Sequence, residues 1–126
     1  MQMELFPRAN KSDMHATRIL LNRYARMRKA ADILGNRADL TEKEKLVLDE
    51  YRQKADAVEM AVKMIMDDNV RRVIEFRFIR GNARWGTVSR FSEITDRSVD
   101  RRITRGVESI AETLKLIGIL NKNNYL

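Results

Sequence analysis

The sequence predicts an all-α protein, because apolar residues recur every three or four positions through most of the chain. One proline and five glycines in 126 residues leave little to interrupt a helix, and no useful stretch alternates as a half-buried strand would. The chain is 44% hydrophobic and 34% charged, which is typical of a compact helical protein with a densely charged surface. Its length corresponds to one domain or two very small ones.

Residues 1–66 are predicted to form an antiparallel helical hairpin. After an irregular lead-in, Ser12 or Asn10 can cap a first helix that ends at Gly35. Thr41 and Glu44 form a capping box that opens a long second helix. The connection of roughly six residues favours antiparallel neighbours. The apolar seams are Leu20, Tyr24, Met27, Ala31 and Leu34 in the first helix, and Leu48, Tyr51, Ala55, Val58, Val62 and Ile65 in the second. Both seams are long enough to continue into another subunit, so we expect the hairpin to serve oligomerisation or partner contact.

Residues 67–126 are predicted to contain three more helices. Asp67 and Asp68 supply an N-cap for a helix that stops at Gly81-Asn82. A short helix over about 84–91 follows, with Trp85 and Val88 facing inward. After a turn at 92–94, Thr95 or Asp96 caps a longer helix that ends at Gly118. The second helix runs almost directly into the third, so we expect 1–66 and 67–126 to form one continuous body.

The last helix separates arginines from core residues. At about 100° per residue, one stripe collects its apolar side chains: Val99, Ile103, Val107, Ile110, Leu114 and Ile117. Arg97, Arg101 and Arg105 lie on the opposite side, where each i,i+4 like-charge pair costs the helix roughly 0.2–0.5 kcal/mol. A cation in the first turn also opposes the helix dipole. Folding alone gives no reason for this arrangement, whereas a polyanion does, so we predict a DNA-recognition helix.

Short helix, turn and longer helix are the layout of a helix-turn-helix unit, with Val88, Ile94 and the small Ser89 packing the turn. The candidate DNA-binding residues of the longer helix are Arg97, Ser98, Arg101, Arg102 and Arg105, with Arg102 directed toward a phosphate. Arg84 and Thr87, in the short helix, are expected to meet the DNA backbone. An arginine offered to guanine is the commonest base-specific contact.

Structural alternatives exist for the residues singled out. The arginines could be solubilising, with Arg97 paired to Asp100 and Arg105 to Glu108. Trp85 could stack on a base, but its spacing from Val88 favours a core anchor. Gap filling in the core is the preferred interpretation of the methionines Met60, Met64 and Met66. His15 is interpreted as a surface residue.

The charge is unevenly distributed along the chain. The net charge is +7 and the pI is near 10, values that permit nucleic acid, an acidic protein or an anionic membrane surface as partner. Residues 8–37 carry eight basic and two acidic side chains, residues 39–68 five and nine, and residues 69–126 twelve and six. The first two blocks are therefore expected to neutralise each other, which leaves the last block available to a partner.

The basic residues of the first helix form no single stripe. They are Arg18, Arg23, Arg26, Arg28 and Lys29. We interpret them as a solvated surface that pairs in part with Glu42, Glu44, Asp49 and Glu50, with a supplementary phosphate contact as the alternative.

Several function classes find no support. The chain has no cysteine, glycine-rich phosphate loop, nucleophile with a plausible base or set of metal ligands. Helix capping accounts for Asp67 and Asp68 without a divalent ion. We therefore expect no enzymatic activity, metal or cofactor. With no apolar run of about 20 residues and no signal peptide, we expect a cytoplasmic protein without a membrane partner.

The carboxy-terminal half resembles the ArpU/RinA-like late-gene activators of phages and prophages, whose DNA-binding portion is similar to sigma region 4, the domain that reads the promoter −35 element. The resemblance lies in residues 73–82, Trp85, residues 95–103 and residues 110–116. It implies a non-enzymatic activator of phage late genes that binds double-stranded DNA, with host RNA polymerase as a candidate second partner. Its recognition positions are Arg97, Ser98, Arg101, Arg102 and Arg105. The turn at 92–94 departs from the pattern because it lacks the usual glycine.

Two other functions stay open. A small terminase subunit also presents a helix-turn-helix, but it assembles as a ring that recruits the packaging nuclease to phage DNA. A sigma-like module that occupies the polymerase surface would bind DNA weakly and polymerase tightly. Oligomeric state and the preferred partner distinguish these from a transcriptional regulator.

Overall fold

The structure, a computed structural model, describes residues 7–120 and is built from helices, with no β-strand in that range. Five α-helices follow one another within these residues, and the third continues into a π-helical turn over Glu75–Ile79. The helices are α1 Lys11–Gly35, α2 Glu42–Lys63, α3 Asp68–Ile74, α4 Arg84–Arg90 and α5 Asp96–Leu116. The all-α prediction is therefore confirmed.

Side-chain caps determine where the long helices begin. Asn10, rather than Ser12, caps α1. The side-chain oxygen of Asn10 accepts from the backbone amide of Asp13 at 2.8 Å, and the Asp13 carboxylate accepts from the backbone amide of Asn10 at 2.8 Å. The other caps are Thr41 for α2, Asp67 for α3 and Thr95 for α5. Each satisfies backbone donors that the first turn of a helix leaves unpaired.

Helices α1 and α2 run antiparallel, because the paired positions move back along α2 as they advance along α1. The pairs are Tyr24–Glu59, Arg28–Asp56 and Arg37–Glu44. The basic block of α1 and the acidic block of α2 thus neutralise each other in part. Glu44, which pairs with Arg37, is one of the carboxylates expected from the sequence. Asp56 and Glu59, which pair with Arg28, are not.

The π-helical turn ends the α3 segment with a hydrogen-bond pattern that the spacing of apolar residues did not predict. The Arg80 amide donates to the Glu75 carbonyl, five residues back, at 2.9 Å. The Phe76 carbonyl receives the side-chain amide of Asn82 at 2.9 Å instead of a regular helical partner. Gly81 has a φ of +75°, which glycine adopts without strain, and leads the chain into α4. The predicted stop at Gly81-Asn82 is confirmed.

Helix α5 lies at the centre of the core and packs against α1, α2 and α3. Its buried stripe is the predicted one over Val99, Ile103, Val107, Ile110 and Leu114. The prediction that Ile117 continues the stripe is wrong, because α5 ends at Leu116 and Ile117 is 42% exposed. Gly118 follows with a φ of +85°, and the amide of Ile119 donates to the Leu114 carbonyl at 2.9 Å in a helix-terminating turn.

A glycine sets the distance between α3 and α5. Gly106 is buried, and a Cβ atom at this position would overlap the side chain of Ile74 and come within 3.3 Å of Val70. The absence of a side chain therefore allows the two helix backbones to approach closely.

An ion pair links the start of α1 to the end of α5. Asp13 is fully buried, and the Lys115 ammonium lies 3.0 Å from its carboxylate. The same ammonium donates to the Arg8 carbonyl at 3.2 Å. A capping residue of α1 thus also holds the opposite end of the chain in place.

The methionines of residues 60–66 do not fill the core, contrary to the prediction. Met60 and Met64 are 42% exposed and Met66 is 94% exposed. The smaller residues Ala61 and Val62, both buried, already occupy the inner face of α2. Over residues 7–120, no helix is long and apolar enough to cross a membrane.

Candidate nucleic-acid interface

Three arginines form a ridge along the outer face of α5. Arg97, Arg101 and Arg105, called the arginine ridge below, are exposed, while Val99 and Ile103 on the opposite face are buried. Since each residue advances a helix by about 1.5 Å, the ridge extends over roughly 12 Å. The phase of α5 expected from the sequence is therefore the observed one.

The start of α5 is stabilised by its own polar residues. The Thr95 hydroxyl accepts from the Ser98 amide at 3.1 Å and donates to the Ser98 hydroxyl at 2.9 Å. Asp96, in the first turn, supplies the negative charge that a helix N-terminus favours. This carboxylate offsets part of the cost of placing Arg97 beside it.

The ridge has no counter-charge among the described residues. The alternative pairs Arg97–Asp100 and Arg105–Glu108 are not formed, and no other carboxylate of residues 7–120 forms an ion pair with a ridge arginine. Three guanidinium groups therefore point away from the core in a row, with their hydrogen-bond donors available to an external acceptor.

Asp100 pairs instead with Arg84 of α4. The guanidinium donates twice to the carboxylate, at 2.8 Å from Nε and 2.6 Å from the terminal nitrogen. This contact lowers the pKa of Asp100 and raises that of Arg84. Arg84 was expected to meet the DNA backbone directly. It is 55% exposed, but its donors already tie α4 to α5.

Two predictions about α4 need correction. Thr87 is completely buried, and its hydroxyl donates to the Ala83 carbonyl at 3.0 Å, so its side chain cannot contact DNA as predicted. Ser89, expected at a helix contact, is exposed. Phe91 is buried and packs edge-on against the ring of Phe76, with centroids 5.9 Å apart. Thr87 and Phe91 thus form the inner face of this segment.

Trp85 points to solvent, so the prediction of a core anchor is wrong. Its side chain is 74% exposed, because Thr87 and Phe91 set the phase of α4 and place Trp85 on the other side. Thr87 and Phe91 are spaced four residues apart in the sequence, and this spacing indicates the observed phase. Trp85 and Val88, spaced three residues apart, indicate a different phase.

The remaining predicted site residues flank the ridge on one side. Ser98 and Arg102 are both partly buried, and about 100° per residue puts them beside the ridge rather than on it. Val88 and Ile94 pack against the core from α4 and the following turn, as expected.

The basic residues of α1 behave differently from one another. Arg28 pairs with Asp56 and with Glu59, at 2.7 and 2.9 Å. Arg18 instead extends toward α5, where its guanidinium donates to the Thr104 hydroxyl at 3.5 Å. One basic side chain of α1 therefore borders the α5 site. His15 is exposed, as expected.

No known protein-family model, curated protein or solved structure matches this chain.

Proposed function

We propose that this protein is a sequence-specific, double-stranded DNA-binding transcriptional regulator whose recognition helix is α5. The observation that carries the proposal is the arginine ridge: three guanidinium groups in a row without a counter-charge in residues 7–120. An α-helix with its side chains is about 10–12 Å across, and the major groove, about 12 Å wide, admits one. Arg97, Ser98, Arg101, Arg102 and Arg105 are the proposed contacts.

In this proposal α4, the turn and α5 act as a helix-turn-helix unit. Buried Thr87 and Phe91 brace α4, and the Arg84–Asp100 pair holds it against α5. The proposal keeps the predicted division of the chain into a helical hairpin region, 1–66, and a DNA-binding region, 67–126. The resemblance to ArpU/RinA-like activators suggests late genes of a phage or prophage as targets and host RNA polymerase as a second partner.

The cost of the ridge supports a nucleic-acid partner. Its two i,i+4 arginine pairs cost α5 roughly 0.2–0.5 kcal/mol each. A row of phosphates offsets this repulsion with its negative charge, and both phosphates and the acceptor atoms of guanine satisfy the donors. DNA thus accounts for an arrangement that is unfavourable in the protein alone.

The proposal can be tested by capturing sheared source-genome DNA with the purified protein and sequencing the recovered fragments. The ridge variant replaces Arg97, Arg101 and Arg105 with alanine. The α1 control variant replaces Arg23, Arg26 and Lys29, which are also exposed, and so removes the same charge elsewhere. We expect enrichment of promoter-proximal sites by the wild type and the control variant, but not by the ridge variant.

Other outcomes would identify another function. Enrichment beside a packaging gene, together with assembly into a ring, would favour a small terminase subunit. Equal recovery by the wild type and the ridge variant would contradict base reading by α5. RNA polymerase would then be the next bait for the ridge.

A further inference from the structure

A crevice opens beside the arginine ridge, between α1, the π-helical turn, α4 and α5. Its volume is about 320 Å³. The polar residues that line it are Arg18, Asn22, Arg77, Arg84, Asp100 and Thr104. Asp100 and Thr104 each directly precede a ridge arginine, so this basic crevice lies along one flank of the ridge.

Arg77 is the unusual member of the basic crevice. Its side chain is partly buried, it donates to the Asn82 carbonyl at 2.8 Å, and its guanidinium lies 4.7 Å from the centre of the Phe78 ring. No carboxylate of residues 7–120 forms an ion pair with it. Burial accordingly lowers its pKa, since a charge removed from water without a counter-ion is disfavoured.

The local backbone holds Arg77 in this position. In the π-helical turn, the Phe76 carbonyl accepts from the side-chain amide of Asn82. The backbone carbonyl of Asn82 accepts from the Arg77 guanidinium, so Asn82 is held by contacts on both sides. The guanidinium is thus held at the wall of the crevice before any ligand arrives, which reduces the entropy lost on binding.

The other charges also favour an anion. Arg18 has one long contact, to Thr104 at 3.5 Å, and no ion pair in the described part of the chain. Arg84 is neutralised by Asp100. The three guanidinium groups and one carboxylate leave the basic crevice with a net charge of +2.

We propose that the basic crevice binds a phosphate group. Arginine donors satisfy phosphate oxygens through charge-assisted, often bidentate hydrogen bonds, and a phosphate would supply the counter-charge that Arg18 and Arg77 lack. The phosphate comes either from the DNA backbone beside α5 or from a small phosphorylated ligand. The DNA source rests on the proposed function, whereas the small-ligand source does not.

The first experiment titrates inorganic phosphate against chloride at constant ionic strength and follows the arginine side-chain Nε resonances by NMR. We expect saturable shifts of Arg18, Arg77 and Arg84. Arg18→Gln and Arg77→Gln should weaken the phosphate affinity about tenfold or more, because each removes a charge-assisted contact. If Arg77→Gln does not fold because Arg77 is the more buried residue, Arg18→Gln still tests the proposal.

Two further variants sharpen this test. Arg72→Gln removes the same charge from an exposed position of α3 outside the crevice, and it should leave phosphate binding unchanged. Asp100→Asn removes the carboxylate that competes with phosphate for Arg84, so it should tighten phosphate binding. A weaker affinity in Asp100→Asn would contradict the proposed geometry.

The second experiment identifies the source of the phosphate by measuring the salt dependence of binding to the recovered DNA. If the backbone enters the crevice, Arg18→Gln should reduce the slope of log affinity against log salt by about 0.9, and Arg72→Gln should not. If Arg18→Gln leaves this slope unchanged but weakens the binding of inorganic phosphate, the source is a small phosphorylated ligand. Phosphate binding without DNA binding would overturn the proposed function but support the crevice. The crevice proposal fails if phosphate causes no saturable shift and Arg18→Gln leaves the slope unchanged.

Discussion

At the scale of single residues, the chemistry of the α5 surface depends on which arginine each carboxylate pairs with. Asp100 lies close enough in sequence to pair with Arg97, but the structure gives it to Arg84. As a result the arginine ridge keeps its full charge, while α4 gains a link to α5. One carboxylate thereby decides which arginine is structural and which are available to a partner.

The middle ridge arginine provides a residue-scale test of base reading. Arg101→Ala should cost about 1–3 kcal/mol of specific binding, because a bidentate contact to guanine is lost. Fluorescence anisotropy on the recovered site and on a random duplex measures this loss, with Arg72→Ala as the charge-matched control. Equal losses on both duplexes would reduce Arg101 to a phosphate contact.

Tyr24 gives a pH-dependent prediction. Burial, followed by its hydrogen bond to Glu59, raises the pKa of this phenol. Because the folded-state pKa exceeds the unfolded value of about 10, the stability contributed by neutral Tyr24 is complete below that pH. It is lost as the pH rises through the folded-state pKa.

Tyrosinate absorbance measures this effect. Native wild-type protein should contain a late-ionising tyrosine that is absent from Tyr24→Phe, and the free energy of unfolding of this variant should fall less steeply at alkaline pH. Protein unfolded in denaturant serves as the control, since its tyrosines ionise without the fold. A native titration curve that matches the unfolded one would contradict the assignment.

Trp85 illustrates where prediction from sequence failed at this scale. Spacing placed it in the core with Val88, but the inner face of α4 belongs to Thr87 and Phe91. A helix of seven residues has too few positions to define its phase by periodicity. Only the contact between Phe91 and Phe76 shows which side is buried.

At the scale of elements, α5 was the most predictable part of the fold. Its twenty-one residues contain several repeats of the apolar spacing, and Thr95 marks its beginning. The π-helical turn was not predictable, because it depends on Asn82 reaching back to the Phe76 carbonyl and on packing against neighbouring helices. The candidate site follows this division: the arginine ridge was predicted, and the basic crevice was not.

The contact between α3 and α5 gives an element-scale prediction. Gly106→Ala should lower the free energy of unfolding by up to about 2 kcal/mol. Overpacking against Ile74 costs about 1–3 kcal/mol, and the better helix propensity of alanine returns about 1 kcal/mol. Denaturant unfolding measures the change.

A double-mutant cycle isolates the responsible contact. Ile74→Ala removes the two carbon atoms, Cγ1 and Cδ1, that a Cβ atom at position 106 would overlap, so it should cost less in the Gly106→Ala background than in the wild type. Additive effects of the two substitutions would show that close approach to Ile74 is not the reason for glycine here.

At the scale of the whole molecule, charge is sorted by tertiary contacts. The acidic residues of α2 pair with Arg28 of α1 and with Arg37 of the connection after it, whereas the ridge on α5, beside the basic crevice, has no ion pair in residues 7–120. Arg18 joins that surface from the far end of the sequence. Helix α1 therefore contributes a cation to the candidate site.

The salt dependence of DNA binding tests this distribution of charge. If four to six phosphates are neutralised, log affinity should fall against log salt with a slope of about −4 to −5. Each ridge arginine that neutralises a phosphate should contribute about 0.9 to the magnitude of this slope, so the ridge variant should lose that contribution and the α1 control variant should keep it. A flat response in the wild type would contradict an electrostatic contribution to binding.

The sequence by itself determined the helical class, the cap at Thr41, the pairs Asp67 or Asp68 and Thr95 or Asp96 from which the other two caps come, and the face of α5 that is buried. These features depend on residues within a few positions of one another, so local spacing and capping chemistry are sufficient. Tertiary structure alone decided the partner of Arg84, the exposure of Trp85 and the methionines, and the basic crevice. Each of these depends on side chains that are distant in sequence and meet only when α1, the π-helical turn, α4 and α5 pack together.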